Sequence, residues 1–196
     1  MQIDYYFSTI SPFTYLSGTR PAQVAAKHGA SLNYKPLDIM GLFGRTGGTP
    51  PKDRHENRKA YRLTEMRRAA AKLEMPINLQ PAHWPTNAAP SSYAIIAAVR
   101  DGSGDVADLV AGLTRACWAE EKDIAQDEVI GDCLAAAGFD RTLVDHDMMQ
   151  GAETYARNLE DAVKAGAFGA PFFIVGEEPF WGQDRIDDLD AYLAAV

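Results

Sequence analysis

The chain opens with the stretch MQIDYYFSTISPFTYL, residues 1–16, which decides its fold. Ile3, Tyr5 and Phe7 occupy alternate positions, which predicts a short strand of aromatic and β-branched residues. Ser11 and Pro12 follow, and serine is favoured at a helix N-cap as proline is at the first helical position. The stretch therefore predicts a strand that delivers a hydroxyl group to the start of a helix.

The predicted first helix runs from Pro12 to about Lys27 and ends at His28-Gly29. The free N–H groups and the positive dipole end at its start favour an anion beside Ser11. A simpler interpretation is that Ser11 is only an N-cap, a role in which serine is common. The two interpretations stay open until the other end of the chain is considered.

Composition limits the class of protein. The 196 residues are 46% hydrophobic and 23% charged, with a net charge of −8, as in a soluble globular protein that does not bind nucleic acid. No apolar run is long enough to span a membrane, and the N-terminus lacks the features of a signal peptide. We expect a cytoplasmic protein without membrane partners, in which Cys117 and Cys133 are reduced and structural. The histidines show no metal-ligand spacing and predict no metal site: His28, His55, His83 and His146.

A second strand is predicted at residues 31–36, which makes a βαβ unit with two parallel strands. Residues 37–43 predict an apolar connection with a single helical turn, and residues 44–51 a loop rich in glycine and proline. From there to about Gly166 the pattern is helical. The predicted helices cover residues 56–73, from Ser91 or Ser92 to Gly102, 105–119, 127–137, 141–150 and 152–165.

The last part of the chain returns to strands. Residues 171–175, PFFIV, predict a buried strand, and Pro179–Trp181 a short partner. Asp184 is the predicted N-cap of the last helix. The order βαβ, helical block, ββα predicts an α/β thioredoxin-like fold with a large all-helical insertion. Its domains are residues 1–45 with 152–196, and the insertion is 46–151.

In a thioredoxin-like fold the site lies at the start of the first helix, where redox enzymes carry Cys-x-x-Cys. Here these positions are Ser11-Pro12-Phe13-Thr14. Disulfide exchange needs a thiolate nucleophile, so the sequence excludes it at this site. A hydroxyl group can instead donate a hydrogen bond to a bound thiolate, which would lower a thiol pKa from its usual value of about 8.5.

Two motifs resemble the 2-hydroxychromene-2-carboxylate isomerase family, which is related to kappa-class glutathione transferases and DsbA-like disulfide oxidoreductases. The first motif is YFSTISPFTYL, residues 6–16. The second is GAFGAPFFIV, residues 166–175, continued by FWGQDR at 180–185, and it is the more specific. The resemblance covers the whole chain, including the helical insertion.

The resemblance implies that glutathione binds across the two motifs. Ser11 would hydrogen-bond the sulfur, and the backbone of Ala170 would pair with the cysteinyl part as an added strand. Pro171 is expected to follow a cis peptide bond, and Asp184 to meet the γ-glutamyl ammonium group. The implied glutathione site comprises Ser11, Ala170, Trp181, Gly182, Gln183 and Asp184, with Ser11 as the catalytic residue.

The resemblance also implies a second substrate between the sheet and the insertion. Its neighbours would be Phe43, Gly44, Asp53 and Trp84. We expect some relatives to carry Asn at position 53 and Tyr at position 84, and an Asp facing a carboxylate is unfavourable without a cation, which Arg54 could supply. Trp84 has a simpler interpretation as a core aromatic side chain.

Charge is distributed unevenly along the chain. From Lys52 to Lys72 there are eight Lys or Arg against three Asp or Glu, a net charge of +5 in a chain of −8, which leaves −13 elsewhere. A basic helix on an acidic protein attracts carboxylates to a cleft, although a solvated helix face would show the same pattern.

The resemblance thus implies a glutathione-dependent isomerase of aromatic-ring catabolism, which is our main hypothesis. The thiolate adds to an electrophilic carbon, a bond rotates and the thiol is expelled, so glutathione acts as a cofactor. One alternative is a kappa-like glutathione transferase, which consumes glutathione. Another is a non-catalytic thioredoxin-like binding module. The resemblance further implies a homodimer and a small aromatic carboxylate as substrate.

Overall fold

The computed structural model describes residues 1–145 and 148–196. Four strands and nine α-helices lie in these residues. The strands are β1 Gln2–Phe7, β2 Ser31–Pro36, β3 Phe172–Val175 and β4 Glu178–Trp181. The helices are α1 Pro12–Ser17, α2 Arg20–Lys27, α3 Ile39–Thr46, α4 Glu56–Lys72, α5 Ala89–Asp101, α6 Val106–Ala119, α7 Asp127–Ala136, α8 Met148–Lys164 and α9 Ile186–Ala195.

The strands form one mixed sheet in the order β2-β1-β3-β4. β1 and β2 run parallel, whereas β3 is antiparallel to both β1 and β4. Tyr5 faces Tyr34 on one side and Phe173 on the other, which joins the two ends of the chain through β1. The predicted βαβ and ββα halves therefore form a single sheet, as the α/β thioredoxin-like fold requires.

Aromatic rings hold the centre of this sheet. The ring of Tyr5 stacks on Phe7 at 4.6 Å and on Phe173 at 4.8 Å between centroids, and all three side chains are buried. Such contacts stabilise a core beyond the burial of their area. The alternating N-terminal residues thus form an inner strand of the sheet, and Ser11 follows shortly after its end.

The first helical segment differs from the prediction. It divides into α1 and α2, because Gly18 adopts a positive φ of 52° and Pro21 lies in the first turn of a new helix. The following segment also differs, since α3 extends to Thr46 and takes in Gly44, which we expected in a loop. The side chain of Asp38 caps α3 by accepting the Met40 N–H at 3.0 Å.

Two further predicted helix starts were wrong. α5 begins at Ala89 with Pro90 in its first turn, where a missing N–H costs nothing, so neither Ser91 nor Ser92 is the cap. A 3-10 helix at Gln183–Arg185 precedes α9, so Asp184 is not an N-cap.

The helix predicted at 141–150 is also different in the described residues. A 3-10 helix covers Arg141–Asp145, and α8 begins at Met148. The rest of that prediction, including His146, lies outside the described residues. The division into residues 1–45 with 152–196 and an insertion at 46–151 stays a prediction. No helix in the described part of the chain is long and apolar enough to cross a membrane.

Candidate functional site

A cleft of about 730 Å³ lies at the start of α1. Its size is within the range of small-molecule sites. One part of its wall comes from the loop before β3 and from the segment after β4. The other part comes from α3, α4 and the segment around Trp84. The cleft therefore lies between residues of the thioredoxin-like part, at the start of α1 and around β3 and β4, and residues of the helical block.

Ser11 lies at the centre of this arrangement. Its Oγ accepts the Thr14 N–H at 3.3 Å, as an N-cap does, and donates to the carbonyl oxygen of Ala170 at 3.2 Å. The cap interpretation and the position in a cleft both hold for the same hydroxyl group. The Ala170–Pro171 peptide bond is cis, as the resemblance predicted.

The segment after β4 contributes a polar corner of the cleft. Arg20, at the start of α2, donates to the Gln183 carbonyl oxygen at 3.2 Å and to its side-chain Oε1 at 2.8 Å. This contact orients the Gln183 amide, and its side-chain NH₂ can donate to a ligand. Asp184 is exposed and pairs with Arg185 at 2.9 Å.

Trp181 closes this side of the cleft over Gly169. A Cβ at position 169 would meet the Trp181 indole, with Cε2 at 3.0 Å and Cδ1 at 3.2 Å. The ring of Phe168 also contacts Trp181, with 4.7 Å between centroids. The absence of a side chain at Gly169 thus lets the indole lie against the loop.

The structure brings most of the predicted site residues together. The cleft is lined by Ser11, Phe43, Trp84, Ala170, Trp181, Gly182, Gln183 and Asp184. Gly44 and Asp53 do not line it, and both are exposed. Arg54 lines it instead, with its guanidinium 5.6 Å from the Phe43 ring centroid. Asp53 is therefore not expected to repel a carboxylate in the cleft, because Arg54 and not Asp53 lines it.

Sequence reasoning did not single out the cleft-facing residues of α4. They recur at helical spacing, and this periodicity was the signal that could have found them. They are Tyr61, Arg62, Glu65, Arg68, Ala69 and Lys72. With Arg54, this wall of the cleft carries four cations and one carboxylate, that of Glu65. Part of the basic stretch therefore faces the cleft.

Trp84 connects this wall to the serine. Its indole N–H donates to the Ile10 carbonyl oxygen at 2.9 Å, one residue before Ser11. Its ring also lies 5.5 Å from that of Trp118. Trp84 is therefore both a packed aromatic and a residue of the cleft wall.

The two thiols lie outside the cleft lining. Cys117 is buried and Cys133 half-buried, and both are free. Burial raises the pKa of Cys117 to about 12 and that of Cys133 to about 11. Both groups are protonated at neutral pH, which agrees with the expectation of reduced structural cysteines.

The sequence matches the DSBA-like thioredoxin domain family over residues 2–194. The chain belongs to this family. Among curated members it is similar to the 2-hydroxychromene-2-carboxylate isomerases of Sphingobium xenophagum and Pseudomonas putida. The first is 28% identical, with 97% of each chain covered, and the second is 26% identical over 100% of this chain and 96% of the relative.

Solved structures of DSBA-like proteins agree with the fold. A selenomethionine form of 2-hydroxychromene-2-carboxylate isomerase superposes with a TM-score of 0.79 at 24% identity, covering 100% of this chain and 95% of that one. At this identity the similarity shows the fold alone. The thioredoxin-like prediction with its helical block is thereby confirmed over the whole chain.

Proposed function

We infer that this DSBA-like protein is a glutathione-dependent isomerase of 2-hydroxychromene-2-carboxylate or a related conjugated carboxylate. Two full-length curated relatives carry the name of that isomerase. The observation that carries the proposal is the Ser11 hydroxyl group, hydrogen-bonded to the residue before a cis proline inside a ligand-sized cleft. A serine there replaces the cysteine that disulfide exchange would need.

The volume of the cleft and its polar groups support glutathione as the ligand. Ser11 and Ala170 would hold the cysteinyl part, and the Gln183 side-chain NH₂ would donate to the γ-glutamyl carboxylate. Asp184 would attract the ammonium group in competition with Arg185, its present partner. Trp181 and Gly182 complete this wall. The cysteinyl part and both charged groups of the γ-glutamyl end would thus meet a side chain or backbone group of suitable chemistry.

Bound glutathione would supply a thiolate that adds to the substrate, permits rotation about a former double bond and is then expelled. The Ser11 hydroxyl group has one proton, which the Ala170 carbonyl oxygen accepts in this structure. A peptide N–H that pairs with Ala170 as an added strand would take over this carbonyl. The Ser11 proton is then free to turn toward the sulfur, while the Thr14 N–H keeps the oxygen in place.

The cationic wall would hold the second substrate. Arg68 and Lys72 on α4 line the cleft together with Arg54, whose Nε is fixed on the Thr49 carbonyl oxygen at 2.7 Å. Cations on a cleft wall raise the local concentration of carboxylates even in an acidic protein. This field suits an anionic substrate that must meet a thiolate.

The test is conversion of 2-hydroxychromene-2-carboxylate by purified protein with and without glutathione, followed by absorbance. Total glutathione is counted before and after the reaction. We expect conversion that requires glutathione and leaves its amount unchanged. Stoichiometric consumption would indicate a transferase, and conversion at the same rate without glutathione, or none at all, would reject the proposal.

A further inference from the structure

Arg62 occupies an unusual position on the cleft wall. Its guanidinium carbon lies 5.2 Å from the ring centroid of Trp84 and 6.0 Å from that of Trp118, so the cation rests on a pair of indoles. Arg62 and Trp84 both line the cleft that contains Ser11. Contact with indole faces stabilises a guanidinium and fixes its position.

No carboxylate pairs with Arg62 among residues 1–145 and 148–196. Four other arginines do pair with one: Arg45 with Glu160, Arg115 with Glu120, Arg141 with Asp132 and Arg185 with Asp184. Those pairs lie on the surface, where water already screens the charges. The half-buried Arg62 can therefore gain from an anionic ligand, since it lacks both full hydration and a carboxylate partner.

Burial also weakens the hold of Arg62 on its proton. Desolvation, followed by repulsion from Arg54, lowers the pKa of Arg62 to about 10. The group is still a cation at neutral pH. Its charge is therefore maintained in the cleft at a cost that a bound carboxylate would relieve.

We propose that Arg62, supported by Trp84 and Trp118, binds the carboxylate of the second substrate and sets its preference for flat, conjugated monocarboxylates. This proposal rests on the proposed function for the identity of the reaction, but not for the binding itself. The residues proposed for glutathione lie at the N-cap of α1, directly before β3, at the end of β4 and in the segment that follows it. Arg62 lies on α4, a different wall of the cleft.

Apolar side chains complete this part of the site. Phe13, Met40 and Phe43 line the same cleft and can contact the flat part of such a substrate. A planar guanidinium binds a carboxylate through two parallel hydrogen bonds, which a lysine ammonium cannot reproduce. A neutral carboxamide of the same shape offers only half of this acceptor pattern and no charge.

The binding test uses trans-cinnamate and its neutral analogue trans-cinnamamide, followed by tryptophan fluorescence without glutathione. The variants are Arg62→Gln, Arg62→Lys and, as control, Arg67→Gln, which removes a charge from an exposed position of α4 outside the cleft. Wild type and control should bind cinnamate at least tenfold more tightly than cinnamamide. Arg62→Gln should remove most of this preference, the remainder coming from the other cations of the wall, and Arg62→Lys should recover part of it.

Thermal melting confirms that each variant is folded, and Arg62→Lys serves if Arg62→Gln does not fold. Retention of the preference in both Arg62 variants would overturn the proposal, as would a wild type without any preference for cinnamate. An Arg62→Gln variant that weakens glutathione but not cinnamate would overturn it too, since Arg62 would then serve the cofactor. Loss of the preference in Arg62→Gln supports the proposal even if no isomerisation is found, which separates its failure from that of the proposed function.

Discussion

The Ser11 hydroxyl group donates to the carbonyl oxygen of Ala170 at 3.2 Å, although 159 positions separate the two residues in sequence. The contact joins the two motifs on which the proposed function depends. It also places the only proton of this hydroxyl on an acceptor that a bound peptide can take over. We expect bound glutathione to replace this hydrogen bond, and the pKa of the bound thiol would report the change.

Ser11→Ala tests the role of this hydroxyl group in holding a thiolate. A hydrogen bond to a charged group contributes about 1.5–3 kcal/mol, so the pKa of bound glutathione should rise by about one to two units in the variant. Thiolate absorbance against pH, with the protein in excess over glutathione so that most of the thiol is bound, measures the shift. The lost N-cap should cost about 1 kcal/mol of stability.

Ser17→Ala is the matched control for that variant. Ser17 is a buried serine of the same helix, and it donates to the Phe13 carbonyl oxygen at 2.9 Å without lining the cleft. It should leave the bound thiol pKa unchanged. Equal shifts in both variants would show that the helix, and not the Ser11 hydroxyl, sets the thiol pKa.

Gly169→Ala tests whether the position of Trp181 matters for glutathione. The new methyl group would meet the indole, which is 54% exposed and can swing into solvent at little cost in stability. The wall of the cleft would then be displaced. We expect the Kd of glutathione to rise about tenfold, a change of about 1.4 kcal/mol, as measured by calorimetry.

Gly112→Ala serves as control for Gly169→Ala, because the nearest atoms to a Cβ there, those of the Cys133 side chain, lie at 4.0 Å. Gly112 is inside α6 and away from the cleft. This variant should be more stable by about 0.5–1 kcal/mol and should bind glutathione normally. Unchanged binding in Gly169→Ala would mean that Trp181 does not contribute to the site.

The chain's own thiols should be inert in the folded protein. A pKa of about 12 for Cys117 leaves about one thiolate in ten thousand at pH 8, and Cys133, with a pKa of about 11, about one in a thousand. A chromogenic disulfide reagent at pH 8 should react slowly with both until denaturant is added. Rapid reaction of the native protein would contradict this, whereas slow reaction means that any thiolate seen in the glutathione titration belongs to glutathione.

The sequence predicted those parts of the structure in which local chemistry and tertiary packing agree. The aromatic alternation at Tyr5 and Phe7 formed an inner strand of the sheet, and Ser11-Pro12 formed the start of α1, which lines the cleft. Gly18 adopts a positive φ and ends α1, so the predicted first helix is divided. The spacing of apolar residues alone does not predict this break. Local signals thus located elements better than their ends.

The cleft was harder to predict, since its walls come from elements far apart in sequence. The basic stretch was visible, but the side of α4 that faces inward depends on tertiary packing, which buries Met66 and Ala70. Arg54, and not Asp53, lines the cleft for the same reason: the 3-10 helix at Pro51–Asp53 sets which side chain turns inward. A charge count has no such directional information.

Trp84→Phe tests the support that the indole gives to the residue before Ser11. The substitution keeps a ring but removes the N–H that donates to the Ile10 carbonyl oxygen, and Ile10 is buried. An unsatisfied buried acceptor costs about 1–3 kcal/mol, so urea unfolding should show a loss of that size. The KM for a carboxylate substrate should rise as well, because phenylalanine is a weaker platform for Arg62 than tryptophan is.

Trp181→Phe is the control for stability. The Trp181 side chain is half exposed, and no hydrogen bond engages its indole in residues 1–145 and 148–196. The free energy of unfolding should therefore change by less than about 0.5 kcal/mol. If Trp84→Phe is as stable as the control, the hydrogen bond to Ile10 does not hold the start of α1 in place.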